Sequence, residues 1–399
     1  VSAASEENAA AFEVTTHESL RDLGESEYAS VLPDDVPPFL TYSWLDALEQ
    51  ARLVTPERGW APCHIALRQG GKLRLVAPAY VKGNSEGEFV FDHAWARFAE
   101  MQLGIAYYPK LIVAVPFTPA TGPRLLCREV GASRDVLVST FASALGRLSE
   151  ALELSGVHVL FPPDTEASEL SKQGLLLRHG LQFHWHNPGY TSFDDFLSRF
   201  SSKRRNQIRR ERRAMQEQNI EIRTYTGSDI KSEQVDLAYE FYRVTVDKFY
   251  WGRRYLTRDF FHDVAARMPE QLHIVLAFER GSQRALGGAF NLLGKHALYG
   301  RYWGAREERP FLHFNVCFYH SIEECIARKL PLFEPGAGGE HKASRGFEPT
   351  LTQSVHHLRD RRLARAIDDF LTRERHAHVL HIEEAARDSV LKCLPSDEG

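Results

Sequence analysis

FNVCFYHSIEECIARKLPLFEPGAGGEHKASRGFEP, residues 314–349, sets a helix, a strand and a glycine loop in one line. Val316, Tyr319, Ile322, Cys325 and Ile326 recur at helical spacing and predict one core-facing stripe. LFEPGA follows as a strand-sized run. Gly336, Gly338 and Gly339 then let the backbone approach something closely, and Glu340, His341, Lys342 and Arg345 put four ionisable groups within six residues. A histidine near neutrality can accept the proton that an attacking amine must lose, and Lys and Arg can hold an anionic substrate. The plainer alternative is a solvated polar loop. Glycines beside a tight charge cluster at a strand's C-terminal end favour a site.

Working outward, the same order of elements is written twice. In the first pass TYSWLDALEQAR (Thr41 to Arg52) reads as a helix after the Pro37-Pro38 break. PCHIALRQ and KLRLVAPAYVKG read as adjacent strands joined at Gly70-Gly71, and LIVAVPF as a buried strand. A helix spans about Ser133 to Ser155, with Val136, Phe141, Leu145, Leu148 and Leu152 as its apolar residues, and VHVLFP follows as a strand. In the second pass helices lie near Gln234 to Phe249 and Arg258 to Met268. HIVLAFE and LGGAFNLLG form a hairpin around Gly281, and HALYGRYWGA is the next strand. The order predicts a duplicated α/β (α+β) unit, with a helical tail from roughly His356.

Three further segments carry candidate chemistry. VPFTPATGPRLL (Val115 to Leu126) runs a strand into a Pro, Thr and Gly loop whose N–H groups, with Arg124, suit a phosphate; an ordinary strand–helix turn is the alternative. SKRRNQIRRERR (Ser202 to Arg213) holds seven basic side chains in the eleven residues from Lys203, with Phe200 and Ile208 as its anchors. It is either a solvated helix or a site for phosphate, tRNA backbone or carboxylates. Alternation puts Tyr299, Arg301 and Trp303 on one strand face, where Tyr299 and Arg301 suit a cleft and Trp303 suits the core, with Tyr302 on the other. Asn315 stands where it can cap the following helix and touch a ligand beside it.

Composition narrows the class. The 399 residues are 43% hydrophobic and 26% charged, enough for two or three globular domains. A net charge of −4 gives no overall field for DNA or an anionic membrane. No apolar run approaches the roughly 20 residues that span a bilayer. Five scattered cysteines fit reduced thiols in a cytoplasmic setting. The N-terminal VSAASEENAA has no basic-then-apolar pattern of a signal peptide. HWH, His356-His357 and HAHVLH lack the Cys or HExxH partners of a zinc site, so no metal is expected.

The first stretch quoted, VPFTPATGPRLL and SKRRNQIRRERR together resemble the FemAB-like branch of the GNAT acyltransferase superfamily, from about Phe12 to Glu374. The resemblance implies a tandem double-GNAT fold with two mixed β-sheets flanked by helices. Its units would be residues 12–189, residues 190–355 with the basic helix at their start, and a helical tail over 356–399. It also implies amide-bond formation, with an acyl or aminoacyl group passing from acyl-CoA or aminoacyl-tRNA as co-substrate to an amine-bearing small molecule or peptide, and a link to peptidoglycan. Charged tRNA would be a partner in one case, and no tightly bound cofactor is implied. By resemblance, Thr121, Gly122 and Arg124 stand at the pyrophosphate loop, although the Arg/Gln-x-x-Gly-x-Gly/Ala pattern is missing. Arg204 and Arg205 match the basic helix, and His341, Lys342 and Arg345 the signature loop. His341 is the expected base, with Glu340 beside it. The competing expectation is a GNAT-shaped binding module that recognises a cell-wall peptide or anionic metabolite without turnover.

Overall fold

Short β-branched and aromatic runs between Pro and Gly breaks become strands in the computed structural model, which describes residues 11–248, 254–387 and 390–391. Val1 to Ala10, Phe249 and Cys393 lie outside the described residues, as do the side chains of Glu340 and of residues 385–387. The first half supplies β1 (Phe12–His17), β2 (Ala61–Pro62), β3 (His64–Gln69), β4 (Lys72–Ala77), β5 (Ala79–Lys82), β6 (Lys110–Val113), β7 (Gly156–Leu160) and β8 (Leu176–His186). The second half supplies β9 (Ile220–Tyr225), β10 (Leu272–Glu279), β11 (Ala285–Leu293), β12 (Ala297–Ala305), β13 (Leu332–Glu334) and β14 (Glu348–Leu358).

These strands form two mixed sheets flanked by helices, in the order β2-β5-β6-β7-β14-β8 and β8-β13-β12-β11-β10-β9. Strand β8 belongs to both. Its body pairs with β14, and Trp185 and His186 at its end pair with Phe333 and Leu332 of β13. A small sheet, β1-β3-β4, stands apart. Its hairpin turns at Gly70-Gly71, both at positive φ, as the sequence suggests. Pro78 breaks the expected single strand KLRLVAPAYVKG into β4 and β5, which enter different sheets.

Residues 348–358 depart from the expected boundary. They form β14 and return to the first-half sheet between β7 and β8, so His356 is a strand residue whose Nδ1 meets His158 Nδ1 at 2.7 Å. The tail helix begins at Arg361. Alternation in TLTQSVHHL is weak, and pairing with a distant strand overrides it.

Helix Gly131–Ala151 lays Leu137, Phe141 and Leu145 on Val113, Val157 and Val159. Val136 and Leu152, expected on that face, are exposed. In the second half, helix Ser232–Lys248 and helix Arg258–Arg267 pack one side of the sheet through Phe241, Phe260 and Phe261. Trp185, Phe196, Phe318, Ile322 and Phe333 fill the other side. Each such buried side chain contributes about 1.5–3 kcal/mol relative to exposure.

Candidate active site

The parallel pair β12–β13 holds only over Ala297–Tyr299 and Leu332–Glu334, after which β13 gives way to the glycine loop. There Gly300 touches that loop so closely that a Cβ on it would lie 3.1 Å from Pro335 Cα. A β-bulge sits at the same place. Phe290 opposes Tyr302 while Asn291 opposes Gly300, leaving Arg301 as the extra residue. The bulge breaks alternation, so Tyr299 and Tyr302 join the same core, edge-on to Phe39 and Tyr242. Tyr299 therefore does not share the cleft face expected of it. Arg301, Tyr302 and Trp303 do line the opening between the strands.

That opening is a cavity of about 390 Å³. Its second wall is the glycine loop, in which Gly336, Gly338 and Gly339 all take positive φ. A Cβ on Gly339 would sit 2.8 Å from the His341 ring, so a side chain there would displace the ring besides straining the backbone. The third wall is the helical run Leu312–Ala327, interrupted by a π turn over Asn315–Tyr319 that points Cys317 and Phe318 at the cavity.

The signature residues then separate. His341 lines the cavity with its ring against His313, Phe314 and Phe318 at 5.7, 5.8 and 5.7 Å. Burial, and then Arg345 and Lys342, pull its pKa below the ordinary histidine value. Lys342 is 4% exposed and also lines the cavity. Its Nζ donates to Gly336 O at 2.6 Å, and burial lowers its pKa to about 8. Arg345 turns away. Its Nη2 donates to both carboxylate oxygens of Glu211 at 3.3 and 3.1 Å, and its guanidinium lies 3.2 Å from the Phe314 ring centroid. The expectation that Arg345 faces a ligand is corrected: it braces the loop.

The FemAB-like family profile, described as peptidoglycan biosynthesis/recognition, matches residues 19–393. The chain belongs to the FemAB-like family. The structure of FemX aligns over 89% of this chain and 100% of that one, at 11% identity and a TM-score of 0.50. A conserved protein of unknown function from Bacteroides thetaiotaomicron covers 86% and 99%, at 9% identity and a TM-score of 0.50. A tandem GNAT protein from the clavulanic acid biosynthesis pathway covers 88% and 99%, at 10% identity and a TM-score of 0.42. At these identities the likeness concerns the fold. A search of curated proteins finds no match. The two mixed sheets flanked by helices expected from the sequence are the fold of this FemAB-like chain.

Its first-half loop is built differently from the expected anion cradle. Arg124 is fully buried and donates to the carbonyls of Ala120, Gly122, Pro123 and Leu160, while its own N–H goes to Glu166. Gly122 is packed under Pro37, Phe39 and Leu40. Thr121 N–H donates to Glu334 Oε2 at 3.1 Å, and burial raises the Glu334 pKa to about 7. The donors that would meet a phosphate are spent inside the protein, so the expected role of this loop is corrected. It joins the halves instead: Arg301 donates to Phe117 O and Thr118 Oγ1.

The basic helix Ser202–Glu217 is anchored by more than Ile208, since Glu211, Ala214 and Met215 are buried as well. Arg204 donates to Ser344 O behind the signature loop, and Arg205 reaches only Ser202 Oγ. Neither enters the cavity lining. Asn315 is not a cap, because the helical run starts at Leu312. Its Nδ2 donates to Glu211 O and Phe311 O. Glu211 itself was missed; the signal was a lone carboxylate in SKRRNQIRRERR, three residues after Ile208 and so on its face. Among the described residues no helix is long and apolar enough to cross a membrane, and no cluster of three His, Cys, Asp or Glu is arranged for a metal ion.

Proposed function

We propose that this FemAB-like protein is an N-acyltransferase that moves an acyl or aminoacyl group from acyl-CoA or aminoacyl-tRNA onto an amine, in the cavity between β12 and β13. The observation that carries this reading is the pairing of His341 with the buried Lys342 on a lining in which no described side chain is a carboxylate. A cavity rich in cations and donors suits the anionic or carbonyl-bearing part of an acyl donor.

In the proposed reaction the amine nitrogen attacks the donor carbonyl carbon and a C–N bond forms. His341 takes the amine proton, either directly or through one water. The Lys342 ammonium faces the negative charge that develops on the carbonyl oxygen. The C–S bond of a thioester, or the C–O bond of an aminoacyl ester, then breaks, and the proton on His341 passes to the departing sulfur or oxygen. β13 ends at Glu334, so beyond Tyr299 the edge of β12 has no β13 partner and can hydrogen-bond a donor's amide groups. Both donors are cytoplasmic metabolites, so we place the reaction there. The acceptor is an amine-bearing small molecule or peptide, and the family's description makes a peptidoglycan precursor the first to try.

The test is a thermal-shift panel of CoA, acyl-CoAs, charged tRNA and amino-sugar peptides, followed by turnover with each donor that binds. A donor at a hundredfold its Kd should stabilise the fold by about 2.7 kcal/mol. Stabilisation by peptides alone, with no donor effect, would overturn the proposal in favour of a binding module.

A further inference from the structure

Behind the cavity wall three polar side chains run in file through the second-half sheet. His273 on β10 and Asn291 on β11 are directly opposed in register and share a face. Asn291 Nδ2 lies 3.1 Å from His273 Nδ1. On its other side the His273 Nε2 lies 3.8 Å from Glu324 Oε2 and makes no hydrogen bond. Glu324 projects from helix His320–Ala327. His273 and then Arg328, whose Nε donates to Glu324 at 3.2 Å, help hold the Glu324 carboxyl ionised, with its pKa lowered to about 2. His320, also near Glu324, is bonded to Thr224 Oγ1 at 2.6 Å. His273 is fully buried and Asn291 is 3% exposed, yet Asn291 lines the cavity.

The arrangement selects one tautomer. A lone pair on Nε2 would face a carboxylate across 3.8 Å, whereas a proton there is attracted. With the proton on Nε2, Nδ1 is an acceptor, and it takes an N–H from the Asn291 amide. The amide is then fixed with its nitrogen turned inward. Its Oδ1 is left for the cavity, where the other polar lining side chains include the donors Lys342, Arg301 and His313.

We propose that Asn291 Oδ1 is the hydrogen-bond acceptor that orients the substrate amine in this cavity, with His273 and Glu324 as positioning residues that hold the amide that way round. This rests on the acyltransfer reading for the identity of the amine; the orientation of Asn291 stands on the geometry alone. The nucleophile needs such a group, because an amine nitrogen attacks well only when its lone pair faces the carbonyl and its N–H bonds face elsewhere.

Two measurements on the full chain test it. The first is ¹⁵N NMR of histidine-labelled protein, with the His273 signals identified by their loss in His273→Gln. The expected result is a ring that carries its proton on Nε2 and none on Nδ1. In Asn291→Asp the new carboxylate should draw a second proton onto Nδ1 and give an imidazolium. A wild-type ring protonated at Nδ1, or at both nitrogens, would turn the amide N–H to the cavity and overturn the proposal. The second measurement is steady-state kinetics of Asn291→Leu with any acyl donor and amine that support turnover. KM for the amine should rise by about tenfold or more, the equivalent of roughly one hydrogen bond, with KM for the donor little changed. The reverse split would overturn the assignment to the amine. A chain inert to every donor but protonated at Nε2 supports the held-open acceptor and counts against the acyltransfer reading alone.

Discussion

Glu211 and Arg345, 134 residues apart, meet in the interior with two oxygens of one facing a single nitrogen of the other. Around them Tyr319 Oη donates to Glu211, Arg345 Nη1 donates to His341 O at 3.0 Å, and Arg345 lies over Phe314. The basic helix thus reaches the proposed active site through a buried acid as well as through Arg204. A carboxylate on that helix fixes the turn Glu340–Arg345, and the turn presents His341 and Lys342 to the cavity.

Removing one member of this buried pair leaves the other charge without a partner. Glu211→Ala should therefore lower stability by about 3–5 kcal/mol, read as a shift in urea midpoint at unchanged slope. Combining Glu211→Leu with Arg345→Leu removes both charges and should recover most of the loss. If the double variant were as unstable as the sum of the two single ones, the pair would not be the coupled unit described here.

His341 is exposed enough that its loss should leave the fold intact. His341→Ala should keep its urea midpoint and lose about 10²–10⁴-fold in kcat/KM. The sign of the pH effect follows from the direction of its shift. A base is active when deprotonated, and burial moves this ring below the ordinary value of 6.5. The acid limb of kcat/KM should accordingly fall below pH 6.5 in the wild type and vanish from the residual activity of His341→Ala. A limb that survives the substitution belongs to another group.

Lys342 gives a stability signature that needs no substrate. Its folded pKa is lowered from 10.5 to about 8, so between those values the unfolded chain binds the extra proton and stability rises with pH. Below about pH 8 both states are protonated and the burial penalty is constant. Relative to Lys342→Met, the wild type should gain up to about 3 kcal/mol as pH climbs through this window. Urea midpoints of the two proteins at pH 7.5 and 9.5 would show it. Parallel curves would mean that the ammonium is better solvated than its burial implies.

What the sequence disclosed depends on how far away the decisive partner lies. Helix, strand and glycine loop in residues 314–349 are set by neighbours a few positions apart, and His341 and Lys342 were legible from that stretch alone. Arg124 was misread because a cationic side chain does not announce that its acceptors are carbonyls, one of them on Leu160. Tyr299 was put on the wrong face because period-two alternation holds only for unbroken ladders, and the extra residue at Arg301 shows up only when β11 is laid beside β12. Asn315 reads as a cap because it is the polar residue just before the apolar stripe that starts at Val316, while the helical run begins three residues earlier. Glu211 and β14 have their partners more than a hundred residues away, beyond any local pattern.

One further relationship makes a sharp contrast between two glycines. Helix Ser232–Lys248 crosses β12 so closely that a Cβ on Gly304 would lie 1.9 Å from the carbonyl oxygen of Phe241 and 2.6 Å from its carbonyl carbon. Those are backbone atoms, which cannot swing aside as a side-chain tip would, so helix or strand must move to admit one methyl group. Gly304→Ala should cost on the order of 3 kcal/mol or more and disturb the sheet that carries Arg301. Gly146 lies within helix Gly131–Ala151 with nothing within 4 Å of its Cβ position. There alanine removes only the backbone freedom of the unfolded chain and should stabilise by about 0.5–1 kcal/mol. Urea midpoints should move in opposite directions for the two variants. If Gly304→Ala were as benign as Gly146→Ala, the helix would not rest on β12 as described, and the wall behind the cavity would have to be redrawn.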